Sequence, residues 1–215
     1  SEDLHLGVSI RSFRSEKVST AISSLLEDEK EQAEKSIKEI NHLYPIKITR
    51  SISKAKDWLR ENARGSERYG LLVSSKAKRL KPIGLFAGIV SEKDSPNWFL
   101  NNQEDIRSSF ALEDPATEFQ VQGLELDWAG IIWDGDLIKT KNNWLYKSFK
   151  GTKWMNINKP IDQKYKLNAY RVLLTRARQG MVIVIPEGDA KDPTRQSKIY
   201  DPTWEYLKEI GLDVI

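Results

Sequence analysis

Apolar positions near the start of the chain switch between two periods. Leu4, Leu6, Val8 and Ile10 recur at every second residue, the spacing of a strand, and Arg11-Ser12-Phe13-Arg14-Ser15 follows as a basic turn. Val18, Ile22, Leu25 and Leu26 then recur at three- and four-residue steps, which predicts a helix that Ser15 can cap. The charged stretch from Glu27 to Asn41 continues as a second helical segment with a solvated face. Pro45 to Thr49 predicts another strand, and Ser53 caps a helix that passes through Trp58 and Leu59 towards Gly65. Tyr69-Gly70-Leu71-Leu72-Val73 reads as an uninterrupted apolar strand.

Between Lys81 and Asp114 the periodicity fails, broken by Pro82, Gly84, Gly88 and Pro96, so this stretch is expected to be a functional loop region. Regular structure resumes from Ala116 to Asp127, and Ala129 to Trp133 forms a strand that Asp134-Gly135-Asp136 turns out of. An aromatic-rich segment within residues 136–166 suggests a β-hairpin insertion. Leu167 to Arg178 predicts a helix stopped by Gly180, and Met181 to Ile185 predicts the strand after it. Strands apolar on both faces, alternating with helices, require a parallel sheet covered on both sides. The expected fold is therefore α/β, a doubly wound, mostly parallel sheet in one domain over residues 1–215, with helices on both faces and the insertion at 136–166.

Composition narrows the chemistry. Lysine and arginine number 34 against 31 acidic residues, a net charge of +3 that permits contact with nucleic acid without requiring it. No apolar run approaches the roughly 20 residues of a membrane span. The first residues, Ser1 to Leu6, carry no signal-peptide pattern, so a cytoplasmic protein is expected. With no cysteine, and with His5 and His42 each isolated, no metal site is expected. Asp134 and Asp136 at a strand end could hold a divalent cation or could be a plain acidic turn. Neither a serine elbow nor a Gly-x-x-x-x-Gly-Lys-Ser/Thr loop is present, so the chain alone is expected to cradle no nucleotide phosphates and to hydrolyse no ATP. Arg176 falls on the predicted apolar stripe of the last helix, with Ala169, Val172 and Leu173, and an arginine there needs a reason.

Leu174-Thr175-Arg176-Ala177-Arg178 before an apolar strand resembles the last motif of superfamily-one helicases. Thr117 to Glu125, a threonine followed by Gly123-Leu124-Glu125, resembles the motif before it, and Ile10-Arg11-Ser12 resembles an earlier one. Longer phrases, among them Tyr69 to Ser75, Gln122 to Trp128 and Asn168 to Arg178, resemble an uncharacterised bacterial family grouped with the Schlafen group 3 DNA/RNA helicase domains. The resemblance implies a C-terminal RecA-like lobe, the second half of an ATP-driven motor. It implies that an N-terminal lobe holds ATP and Mg²⁺ while Arg176, and secondarily Arg11, act as arginine fingers; Arg14 and Arg178 could instead form ion pairs. Glu125 and Gly123 would contact the nucleotide, whereas Thr117, Gln122 and the Gly123 backbone would face nucleic-acid phosphates.

Ser74, Ser75 and Lys76 after their strand could donate to the backbone of DNA or RNA, expected to be single-stranded, or could simply cap a helix. Trp98, Phe99, Trp144 and Trp154 could stack on unpaired bases or fill a core. Two other function classes stay open beside the motor: a nucleic-acid-binding or nucleotide-sensing module of a nuclease or defence protein, and an interaction scaffold.

Overall fold

A computed structural model describes residues 2–91 and 93–215, with the backbone alone given for residues 2–13. Its first element is α1 (Glu2–Leu26), one continuous helix where a strand, a basic turn and a Ser15 cap are predicted. Short apolar runs fit both periods, and here the helical stripe of Val18, Ile22, Leu25 and Leu26 prevails; all four are buried. Asp28, at φ 65, breaks the chain into α2 (Lys30–Ile40), whose buried face is Ala33, Ile37 and Ile40. Then come β1 (Ile46–Thr49) and α3 (Ile52–Asn62). The cap of α3 is Ser51, not Ser53: its hydroxyl accepts from the Lys54 N–H at 3.3 Å.

Next are β2 (Tyr69–Val73), a 3-10 turn (Lys78–Ile83), and the short α4 (Ser95–Leu100) inside the aperiodic stretch. β3 (Ala116–Thr117) and β4 (Leu126–Ile132) follow, β4 starting three residues earlier than the apolar run suggests. The insertion has three strands instead of a hairpin's two: β5 (Leu137–Lys139), β6 (Trp144–Lys150) and β7 (Lys153–Asn156) form an antiparallel sheet. Pro160, whose fixed φ suits a first helical turn, opens α5 (Pro160–Leu174).

The helix α5 stops at Thr175, and β8 (Ala177–Val184) takes in Gly180, the predicted helix stop. Backbone pairing to β4 claims the chain from Ala177 onward, so Thr-Arg-Ala is a helix-to-strand junction and Arg176 is not part of a helical stripe. Gly180 is needed for closeness: a Cβ there would stand 2.8 Å from the Pro45 carbonyl oxygen and 2.8 Å from the Trp128 ring. The chain ends with α6 (Ser197–Glu209) and β9 (Asp213–Val214).

Six strands pair in the order β3-β2-β4-β8-β1-β9, every pair parallel. Alternate side chains of these strands enter two cores, as a sheet covered on both faces demands. Leu72, Ile131, Met181 and Ile183 meet α1, α2, α5 and α6, while Leu71, Ile132, Val182 and Val184 meet α3 and the 3-10 turn. This is the α/β, doubly wound arrangement expected, RecA-like in plan, with helices on both faces. No helix among the described residues is long and apolar enough to cross a membrane.

Candidate nucleic-acid interface

Chain direction in a parallel sheet brings the C-terminal ends of neighbouring strands to one edge, where α/β proteins bind ligands. Here the segments leaving β2 and β3 open onto a groove of about 680 Å³, closed on its other sides by α5 and the insertion. Ser74, Ser75 and Lys76 line it, and so does Gln122; the structure brings these four predicted nucleic-acid residues together. Lys150 from β6 and Lys166 from α5 add cationic groups. Two aromatic side chains stand out of its walls, Phe119 at 65% and Tyr165 at 65% exposure.

The aromatics singled out for stacking are elsewhere and packed. Trp98 is buried, lying over Gly70 so closely that a Cβ there would meet its ring at 2.6 Å. Phe99 packs edge-on against Trp98, and Trp144 stacks on Trp133 in the main core. Trp154 is half-buried, its Nε1 donating to the Thr194 carbonyl at 2.8 Å. Size and burial have decided for filling over base stacking at Trp98, Phe99 and Trp144. Phe119 sits inside the predicted Thr117–Glu125 motif, an aromatic among polar neighbours, whereas Tyr165 falls on the Ile161, Tyr165, Ala169, Val172 period of α5, which marks a helix face without telling core from groove.

The hydroxyls expected to meet phosphates are engaged within the protein. Ser75 donates its Oγ to Glu118 at 2.6 Å and its N–H to the same carboxylate at 2.8 Å. Thr117, buried, turns its N–H and hydroxyl to the Gln120 side chain. Ser74 donates to Asp136 at 2.6 Å. Lys76 is exposed and makes no side-chain hydrogen bond or ion pair among the described residues.

Asp136 and Asp134 are not a surface turn but the centre of a buried network beneath the groove. Asp136 accepts from Ser74, from Lys166 at 2.6 Å and from Tyr170 at 2.5 Å, so both of its oxygens are engaged by protein donors. Among the described residues no group of three or more potential ligands is placed to hold a metal. Asp134 accepts from Gly135 N at 2.7 Å, Arg79 N at 2.9 Å and Tyr200 OH at 3.2 Å. Burial, helped by the Asp136 charge, pushes its carboxyl up to about 7. The same burial and the neighbouring carboxylates raise the Tyr170 and Tyr200 phenols further from ionisation. Lys166, itself buried, belongs to both the network and the groove wall.

The predicted nucleotide-facing residues gather apart from this groove's lining. Arg176 lies beside the β3–β4 connection: its Nη1 reaches the Val121 carbonyl at 3.4 Å, its own carbonyl accepts from Leu126 N at 3.0 Å, and its Nε is buried without a partner among the described residues. It makes no salt bridge among the described residues. Arg178, by contrast, pairs with Asp127 at 2.8 Å and stands 3.8 Å from Glu125, as an ion-pairing arginine would. Glu125 is exposed, and Gly123 is exposed in a left-handed turn at φ +83. The Arg11 side chain lies outside the described residues; the backbone there is helical.

A family model described as Schlafen group 3, DNA/RNA helicase domain, matches residues 1–187. No curated protein and no solved structure matches the chain.

Proposed function

The chain belongs to the Schlafen group 3 DNA/RNA helicase domain family, and on that premise we propose that it is the second, RecA-like motor lobe of an ATP-dependent helicase or translocase. A single strand of DNA or RNA lies in the groove at the strand ends, its phosphates near Lys76, Lys150 and Gln122 and its bases against Phe119 and Tyr165. ATP and Mg²⁺ are held by a partner lobe of the same protein, and Arg176 supplies positive charge to the γ-phosphate, with Arg11 as a second finger. Glu125 and Gly123 border the nucleotide, and Thr117 positions the β3 exit that carries Phe119.

The observation that carries the reading is the groove: cations beside two exposed aromatics, at the ligand-binding edge of a parallel sheet, suit a strand whose bases are unpaired. Arg176 supports the other half, because a half-buried guanidinium with one hydrogen bond, of 3.4 Å, and no carboxylate partner among the described residues has donors to spare.

Fluorescence anisotropy with labelled 12-nucleotide strands and their duplexes tests the groove. We expect single strands to bind more tightly, and Phe119→Ala with Tyr165→Ala to weaken binding by about 1 to 3 kcal/mol for each stack lost. Unchanged affinity in the double variant would exclude the groove as the binding surface. In a protein that includes the phosphate-binding lobe, Arg176→Ala should cut nucleic-acid-stimulated ATPase by roughly 10³-fold or more while nucleotide still binds. Retained turnover would reject the finger.

A further inference from the structure

Ile157 lines the strand groove and also a second cavity, of about 560 Å³, beside the Trp144–Tyr146 end of β6. The two adjoining cavities differ in charge. The groove carries Lys76 and Lys150 on its surface, with Lys166 paired to Asp136 and with Glu118 and Asp162 also in its wall, whereas no lysine or arginine lines the second cavity, whose charged residues are Glu27 and Asp28. A phosphate finds two exposed lysines in the first and no cationic side chain in the lining of the second. Carboxamides dominate the second wall, including Asn142, Asn156, Asn158 and Gln163. Its volume falls within the range of small-ligand sites.

Many of those polar atoms are uncommitted. Gln163 donates Nε2 to the Ile157 carbonyl at 2.7 Å, leaving Oε1 free among the described residues. Asn156 accepts from Lys147 at 3.0 Å through Oδ1, leaving both hydrogens of Nδ2. Asn142 and Asn158 make no side-chain hydrogen bond among the described residues. Glu27 gives Oε1 to Arg171 at 2.8 Å and keeps Oε2, whereas Asp28 is held through both oxygens by Lys139. Trp144, in the same lining, has an Nε1 that is buried with no acceptor among the described residues.

Free amide donors, free amide acceptors and a spare carboxylate oxygen, next to a cationic track, are the groups that read the edge of an unpaired base. We infer that this cavity is a nucleobase pocket: one base of the strand held in the groove turns over Ile157 into it, and Glu27 Oε2 with Gln163 Oε1 favours a base that presents an amino group, adenine or cytosine over thymine or uracil. This inference rests on the single-strand reading of the groove. It assigns backbone binding to one cavity and base choice to the other.

The test is anisotropy titration of the chain with labelled 12-mers of oligo(dA), oligo(dC), oligo(dT) and oligo(dU). We expect oligo(dA) and oligo(dC) to bind at least about fivefold more tightly than the other two, the discrimination of one good base contact. Glu27→Ala and, separately, Gln163→Leu should bring the four affinities together by weakening oligo(dA) and oligo(dC) binding towards that of oligo(dT). Four equal affinities in the unmodified chain would overturn the pocket and leave the groove standing, as would a preference that survives both variants. Failure of every oligonucleotide to bind would overturn the groove reading, and the pocket with it.

Discussion

Asp134 makes stability depend on pH in a direction that can be worked out from its contacts. It is buried, and its carboxyl is pushed from the ordinary 3.8 up to about 7 by burial and by the Asp136 charge. Between those values the folded protein keeps a proton that the unfolded chain has lost. The stabilisation is therefore complete below about pH 4 and is lost as the pH rises to about 7, at roughly 1.4 kcal/mol per pH unit and about 4 kcal/mol in all. Asp134→Asn removes this titration at a fixed cost. Oδ2 accepts from Arg79 N, and Oδ1 accepts from Gly135 N and Tyr200 OH, so either orientation of an amide turns NH₂ towards a backbone N–H.

One lost buried acceptor costs about 1 to 3 kcal/mol. The variant should accordingly be less stable than the parent at pH 4 and more stable at pH 7.5, the two curves crossing between about pH 4.5 and 6. Urea unfolding at half-unit pH steps, followed by tryptophan fluorescence, gives the difference at each pH, in which the other titrating groups cancel. A difference that stays constant within about 1 kcal/mol from pH 4 to 7.5 would refute the account of Asp134 as a carboxyl held protonated by its surroundings.

Two further predictions concern packing and charge. Gly180→Ala should destabilise by about 1 to 3 kcal/mol, because the new methyl meets the Pro45 carbonyl and the Trp128 ring and β1 must move away from β8; chemical denaturation measures it, and a neutral result would mean the strands can separate freely. Lys76→Ala with Lys150→Ala should lower the slope of log affinity against log salt by about 1.4 for single strands, since each lysine neutralises about one phosphate; an unchanged slope would place the strand elsewhere.

Contiguous apolar runs announced β2, the Ala129–Ile132 part of β4 and the end of β8, because a strand buried on both faces has few ways to hide in a sequence. The Thr-Arg-Ala and Gly-Leu-Glu phrases were legible too, and with them the family. The first helix was not: Leu4 to Ile10 satisfies the strand period, and only the continuous backbone of α1 resolves the ambiguity. The Thr-Arg-Ala segment was expected inside a helix, but pairing of Ala177 with Leu126, far away in sequence, turns the chain into β8 and leaves Arg176 at the corner.

What residue order determined by itself is the alternation of strands and helices, and hence the doubly wound parallel sheet, since periodicity is a local property of neighbouring residues. Which aromatics are buried and which meet solvent was decided only by tertiary structure, because exposure depends on the surface opposite: Trp98 found Gly70, Trp144 found Trp133, and Phe119 and Tyr165 found each other's groove. The same holds for the two aspartates. Asp134-Gly135-Asp136 reads as an acidic turn until Ser74, 62 residues before Asp136, and Lys166, 30 residues after it, converge on one carboxylate. Burial then changes what those carboxyls are, since the charge that water would stabilise must instead be paired or protonated.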